Sequence, residues 1–260
     1  MSLWEAAVLG AVQGLTEFLP VSSSGHLVIG QRVLGIDMPG VVFEVGVHLA
    51  TAISILFAYR SRLGKLFSGA LHRDTKVIRY LTLLAVASIP TAIVGIVGRN
   101  FFESLFETPI MVGVALLVTG CVLWTSQRVL ASAKDPIPSW GGALLIGFAQ
   151  AVAIVPGISR SGTTVVAALW LGIEAREAAA FSFLMAVPAI IGAALIQLPQ
   201  VGDVGGPGWL LLGTGAAAAG ITGVLAIRTF VGMLGNRSFF LFAPYCWLVG
   251  GGFLFYLMFS

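Results

Sequence analysis

The residues with the most chemical content lie in two short stretches set inside apolar sequence. In the first, Gln13 and Glu17 stand four apart, on one face of a helix, and Ser22-Ser23-Ser24-Gly25-His26 follows Pro20. In the second, Pro156-Gly157-Ile158-Ser159-Arg160-Ser161-Gly162-Thr163-Thr164 interrupts an apolar run. An ionisable side chain at membrane depth is costly and by default marks function, so Glu17 and Arg160 lead. Each turn hands over to a new helix, whose first N–H groups and dipole favour an anion. Arg160 offers a planar donor fork that matches phosphate oxygens. Around it Ser22, Ser24, Ser159, Ser161, Gly162, Thr163, Thr164 and Gln13 add hydroxyl, N–H and amide donors for binding. The cargo that suits such a cavity is a phosphate or a diphosphate.

A carboxylate beside a phosphate repels it unless a cation lies between them. Glu17 therefore implies Mg²⁺ or Ca²⁺, or acts as a proton acceptor. His26 exchanges protons near neutral pH or attacks phosphorus directly, and Ser23 is a second nucleophile candidate. Glu44, at the start of the next apolar span, either joins Glu17 at a metal or lies at the membrane interface. Plainer roles stand beside these. The serines serve as helix caps, Arg160 neutralises Glu17 in a structural ion pair, and His26 is a hydrogen-bonded core residue. His48, Thr51 and Ser54 share one face of the next span and suit interhelical hydrogen bonds.

The elements that must position these groups are written into a repeat. Setting Gly10 on Gly147 and Gln13 on Gln150 also brings Ser22, Ser24 and Gly25 onto Ser159, Ser161 and Gly162; only the prolines slip, by one place. Broken backbone at membrane depth is tolerated only where protein buries it or a cavity lies beside it. Paired breaks in corresponding places of two halves point to a binding site at the repeat interface.

The chain has 260 residues, 58% hydrophobic and 10% charged, with mean hydropathy +0.99. A soluble domain carries roughly 25% charged residues, so this is an all-α polytopic membrane protein. The net charge of +3 comes from basic residues clustered between apolar spans, which reads as membrane orientation and not as nucleic-acid binding. Cys121 and Cys246 sit in separate spans without metal-ligand spacing and read as small buried hydrophobes. No basic residue precedes Arg32, so the start does not read as a cleavable signal peptide.

Six stretches, 42–60, 78–98, 109–130, 176–198, 208–230 and 239–259, are apolar enough to cross, given the ~20 residues a helix needs. The two motif regions, 3–35 and 140–172, have arms too short to cross and read as re-entrant helix–turn–helix hairpins; an ordinary kinked span is the alternative. One hairpin plus three crossings per half gives an inverted-topology repeat within a single membrane domain, 1–135 followed by 136–260. Placing Arg60, Arg62, Lys65, Arg73, Lys76 and Arg79 in the cytoplasm also puts Arg128, Lys134, Arg176, Arg228 and Arg237 there, with only Arg32 and Arg99 outside. The loop around Asp203, which has no basic residue, falls outside. The Gly- and Ala-rich span 208–230 suits close helix packing, within one chain or between the protomers of a homodimer.

Residues 13–26 and 156–164 resemble the two signature motifs of the bacterial undecaprenyl-diphosphatase (bacitracin resistance) family, as do Phe43-Glu44-Val45 and Phe181-Ser182-Phe183-Leu184. The resemblance covers essentially the whole chain. It implies an integral membrane phosphatase that converts undecaprenyl diphosphate to the monophosphate carrier lipid for cell-wall synthesis. It also implies a divalent cation, a place in the bacterial plasma membrane and an active site facing its outer side. By this resemblance Glu17, Ser23, His26 and Arg160 are catalytic, with Ser159, Ser161 and Thr164 beside the arginine. The family's first acidic position is Gln13 here, and a neutral amide supplies no second carboxylate. The rival reading is a transporter or flippase for an anionic lipid or solute, since broken helices at a repeat interface are equally typical of transporters.

Overall fold

The structure is a computed structural model and describes residues 1–34, 41–129, 132–197 and 206–259. The loop around Asp203 and the last residues of the expected spans 109–130 and 176–198 lie outside these. The first half runs α1 (Leu3–Phe18), α2 (Ser23–Leu34), α3 (Val41–Ala58), α4 (Arg60–Leu71), α5 (Thr75–Val97), α6 (Arg99–Phe106) and α7 (Pro109–Thr125). The second runs α8 (Trp140–Val152), α9 (Arg160–Trp170), α10 (Ala175–Gln197), α11 (Gly206–Gly235) and α12 (Phe242–Phe259).

Local chemistry sets the ends. Ser2 starts α1 with a capping box, its hydroxyl accepting from the Glu5 N–H at 3.2 Å while Glu5 accepts from the Ser2 N–H at 3.0 Å. Ser139 and Ser159 cap α8 and α9 by accepting from the N–H groups of Gly142 and Gly162. Asp74 does the same for α5 through the N–H of Lys76.

Five helices are long and apolar enough to cross a membrane, and a sixth span results if the pair α3–α4, bent by 74°, is counted as one. These six match the stretches read from hydropathy. The two motif regions fold as helix pairs, α1–α2 and α8–α9. At 1.5 Å per residue the longest of these four arms, the 16-residue α1, reaches about 24 Å, short of the ~30 Å hydrocarbon core.

Two helices depart from expectation. Residues 60–71, read as part of a solvated basic loop, form α4, because Leu63, Leu66, Phe67 and Ala70 recur at helical spacing. They wall an apolar cavity of about 330 Å³ with Leu81, Leu84 and Leu184. Residues 99–106 form the short α6, held by an Arg99–Glu103 pair one turn apart.

Packing between halves is reciprocal. α1 lies along α11, and α8 lies along α5. Both contacts need glycine. A Cβ on Gly10 would stand 2.1 Å from the Gly215 carbonyl oxygen, and one on Gly147 would stand 2.2 Å from that of Ala87. The small residues of α11 therefore pack within the chain: Gly215 on α1, and Gly223 near Ser54 and Phe18. Edge-to-face aromatic pairs, Phe18–Phe183 at 5.5 Å, Phe183–Phe230 at 5.1 Å and Phe230–Phe239 at 5.3 Å, knit α1, α10 and α11 below the motif turns. Cys246 is buried as expected. Cys121 is exposed, because its face of α7 points outward to where lipid would lie.

Candidate active site

The two turns touch. The position of a Cβ on Gly25 lies 3.2 Å from the Cα of Gly157, and one on Gly162 lies 3.1 Å from the Pro20 side chain. The hydroxyl of Ser161 reaches the Leu19 carbonyl at 3.3 Å, tying the second turn to the first.

Each turn is built alike. Ser22 Oγ accepts from the Gly25 N–H at 3.3 Å and meets Ser24 Oγ at 3.3 Å. Ser159 Oγ accepts from the Gly162 N–H at 3.2 Å and meets Ser161 Oγ at 3.3 Å. These four serines thus shape the turns, and two of them, Ser22 and Ser159, cap helices as the plainer reading had it. Ser22 adopts φ 67°, a left-handed conformation that costs a non-glycine residue roughly 1–2 kcal/mol. In the second copy Gly157 takes φ 97° at no such cost.

The centre of the site is the Glu17 carboxylate, with a side chain only 9% exposed. Arg160 Nη2 donates to its Oε1 at 2.6 Å across the junction of the hairpins. Ser23 Oγ donates to Oε2 at 2.8 Å, and Gln13 Nε2 donates to the same oxygen at 3.1 Å. Arg160, Glu17, Ser23 and Gln13 are therefore one bonded cluster. Two polar atoms of the cluster, Arg160 Nη1 and Gln13 Oε1, are buried without a partner among the described residues, as is Thr163 Oγ1 further along α9. Buried polar groups are normally satisfied, so two orphans on side chains that both bond the Glu17 carboxylate point to a polar guest. Thr164 is not among them. Its hydroxyl meets Ser182 Oγ at 2.6 Å and lies 2.7 Å from the Arg160 carbonyl, holding α9 to α10.

His26 lies apart from this cluster. Its Nδ1 is 2.8 Å from the Ser22 carbonyl and its Nε2 is 2.7 Å from the Tyr245 hydroxyl, with the two rings parallel at 5.7 Å. Both nitrogens are engaged, and neither hydrogen bond reaches Glu17, Arg160 or Ser23. Sequence reasoning left two neighbours out of the site, giving one another role and not naming the other. His48, read as an interhelical hydrogen-bonding group, has Nε2 3.9 Å from Glu17 Oε2, while its Nδ1 meets the Glu44 carbonyl of its own helix. Of the trio on that face, Ser54 does bond across helices, to the Gly220 carbonyl at 2.9 Å. Tyr245 sits in an apolar span 219 residues from His26, and no local pattern marks it.

A divalent cation has oxygen donors here in Glu17 and the orphaned Gln13 Oε1. Only one carboxylate belongs to the cluster. That donor set fits Mg²⁺, which keeps waters and takes one or two carboxylates with substrate phosphates. The Glu44 carboxylate takes part in no hydrogen bond or ion pair among the described residues, and these contain no group of three His, Cys, Asp or Glu suited to a metal.

What the cluster can do follows from its donors. A hydroxyl already aimed at a carboxylate is a nucleophile with its base in place. A guanidinium nitrogen free beside it is a seat for an anionic oxygen.

Known proteins agree on the kind of chain this is. The family model described as bacitracin resistance protein BacA matches residues 6–252. A protein of Desulforapulum autotrophicum is 41% identical over 266 residues, covering 96% of each chain. One of Syntrophotalea carbinolica is 41% identical over 259 residues, covering 97% of this chain and 98% of that one. One of Alkaliphilus metalliredigens is 38% identical over 266 residues, covering 96% and 97%. All three relatives carry the name undecaprenyl-diphosphatase. With both hairpins and nearly all the chain inside these matches, the chain belongs to the BacA bacitracin resistance family.

Proposed function

We infer that this chain is an integral membrane phosphatase that hydrolyses undecaprenyl diphosphate to undecaprenyl phosphate and inorganic phosphate. The observation that carries the mechanism is the unpartnered Arg160 Nη1 beside a Ser23 hydroxyl that already donates to Glu17. The names of its relatives support the substrate.

The terminal phosphate is held by Arg160 Nη1, the Thr163 hydroxyl and the N-terminal end of α9, where fixed donors stabilise charge in the transition state. Ser23 Oγ attacks phosphorus as its proton passes to Glu17. The bond to the bridging oxygen breaks and undecaprenyl phosphate leaves. Water then attacks the phosphoserine, Ser23 regains its proton, and inorganic phosphate departs. Ser23 suits this role better than His26, whose nitrogens are both engaged elsewhere. A divalent cation, Mg²⁺ or Ca²⁺, held by Glu17 and Gln13 Oε1, would neutralise the diphosphate. The polyprenyl tail stays among the apolar spans. The halves 1–135 and 136–260 are inverted copies in a bacterial plasma membrane, and the site opens to its outer side; the distribution of basic residues supports this orientation.

Phosphate release from undecaprenyl diphosphate by the purified protein, in Mg²⁺, Ca²⁺ or EDTA, tests this reading. Release that EDTA stops is expected. Lipid binding without release would overturn it in favour of transport.

A further inference from the structure

The last helix of the chain reaches the first hairpin through two polar contacts, Cys246 to the Pro20 carbonyl and a shorter one to the histidine. Tyr245, near the start of α12, meets His26 Nε2 at 2.7 Å. The other ring nitrogen fixes the direction of the bond. A carbonyl oxygen only accepts, so Nδ1, 2.8 Å from the Ser22 carbonyl, carries the proton. In the neutral ring Nε2 is then the basic nitrogen, and the tyrosine hydroxyl donates to it. The Ser22 carbonyl is aimed by the left-handed turn at φ 67°, a conformation held in part by the Gly25 N–H on Ser22 Oγ. The His26 N–H reaches that same carbonyl at 3.2 Å. A strained turn on one side and a phenol on the other thus fix both tautomer and ring plane. The two rings lie side by side with parallel planes, which suits an in-plane hydrogen bond. The Tyr245 residue is 43% exposed, so the pair connects the interior of the first hairpin with the protein surface.

We propose that Tyr245 is a positioning residue for the phosphatase reaction: its hydroxyl holds the His26 imidazole with Nε2 as the proton-accepting nitrogen. This rests on the phosphatase reading. His26 is not the nucleophile, since both its ring nitrogens are engaged.

The test uses the full-length protein in detergent. Tyr245→Phe keeps the aromatic ring and removes only the hydroxyl. Expected are an unchanged melting temperature within a few degrees, a kcat lowered on the order of tenfold, the equivalent of one hydrogen bond, and an unchanged KM. In ¹⁵N NMR the histidine signal that disappears in His26→Gln is expected to show a single Nδ1–H tautomer in the native protein and a mixture in Tyr245→Phe. The double variant His26→Gln/Tyr245→Phe is expected to be no slower than His26→Gln alone, since Tyr245 acts through His26. Native kcat in Tyr245→Phe, an unchanged tautomer signal, or additive losses in the double variant would each overturn the proposal. If the native protein releases no phosphate, the phosphatase reading fails instead, and the tautomer signal still reports on the His26–Tyr245 bond.

Discussion

The two hairpin turns share a backbone and differ in chemistry. In both, the first serine of the turn accepts from the glycine N–H three residues on and meets the serine two residues on at 3.3 Å. In both, the last long helix of the other half is bonded to the turn: Thr119 of α7 accepts from the Ser159 N–H, and Cys246 of α12 reaches the Pro20 carbonyl. Yet the residues that align with Glu17, Ser23 and His26 are Ile154, Arg160 and Thr163. One copy keeps the carboxylate, the serine hydroxyl bonded to it and the histidine, while the other supplies the arginine. The repeat provides the geometry, and divergence within it provides the charge complementarity.

The largest effect expected from breaking this division of labour comes from its cross-hairpin pair. Arg160→Ala leaves a nearly buried carboxylate short of its cation, and removing one partner of a buried pair costs about 3–5 kcal/mol. Phosphate release should fall by at least 10²–10³-fold, the loss typical of one transition-state donor. Malachite-green assay and thermal unfolding of the purified variant read both quantities.

The next effect probes what the copies share. Gly10→Val and Gly147→Val each force a side chain into a backbone contact, at 2.1 and 2.2 Å from a carbonyl oxygen. Each should destabilise by about 1–3 kcal/mol or more, as overpacking does. Similar losses of melting temperature in the two variants mark a shared scaffold. A harmless Gly147→Val would break the symmetry.

A smaller effect should separate the two aligned glutamines. Gln13 donates to Glu17, whereas Gln150 donates to Thr91 on α5 at 3.2 Å. Gln13→Ala should lower activity about tenfold, one hydrogen bond's worth, and raise the Mg²⁺ concentration needed for half-maximal rate. Gln150→Ala should leave the rate near native and cost only about 1 kcal/mol of stability.

The smallest effect belongs to the other ion pair between halves. Arg62 grips Glu177 through two nitrogens and lies over the Tyr80 ring at 5.0 Å, but both charged side chains are about 30% exposed. Arg62→Met should cost no more than about 1 kcal/mol and leave phosphate release unchanged.

Much of this was legible in the sequence, for definable reasons. The spans are hydropathy read directly, and the repeated turns declare themselves because hydroxyl-rich sequence is rare within apolar runs. Gln13, Glu17, Ser23 and Arg160 could be grouped because two turns of one repeat must meet if they share a site. His26 was legible as chemistry but not as geometry: its bonding depends on the left-handed Ser22 and on a tyrosine from the last helix. Tyr245 gave no signal and His48 only that of a polar helix face, since their spacing from His26 and Glu17 exists only after helices pack. α4 was hidden by its own charges, as Arg60, Arg62 and Lys65 made an amphipathic helix look like a loop.

A double-mutant cycle on phosphate release tests most directly whether both hairpin turns form one catalytic unit. Glu17→Ala, Arg160→Ala and the double variant are compared with native protein under one set of conditions, each checked for folding by its melting transition. The account predicts that either single change removes nearly all activity and that the double variant is no slower than the singles. Losses that multiply, or near-native turnover in either single variant, would contradict it.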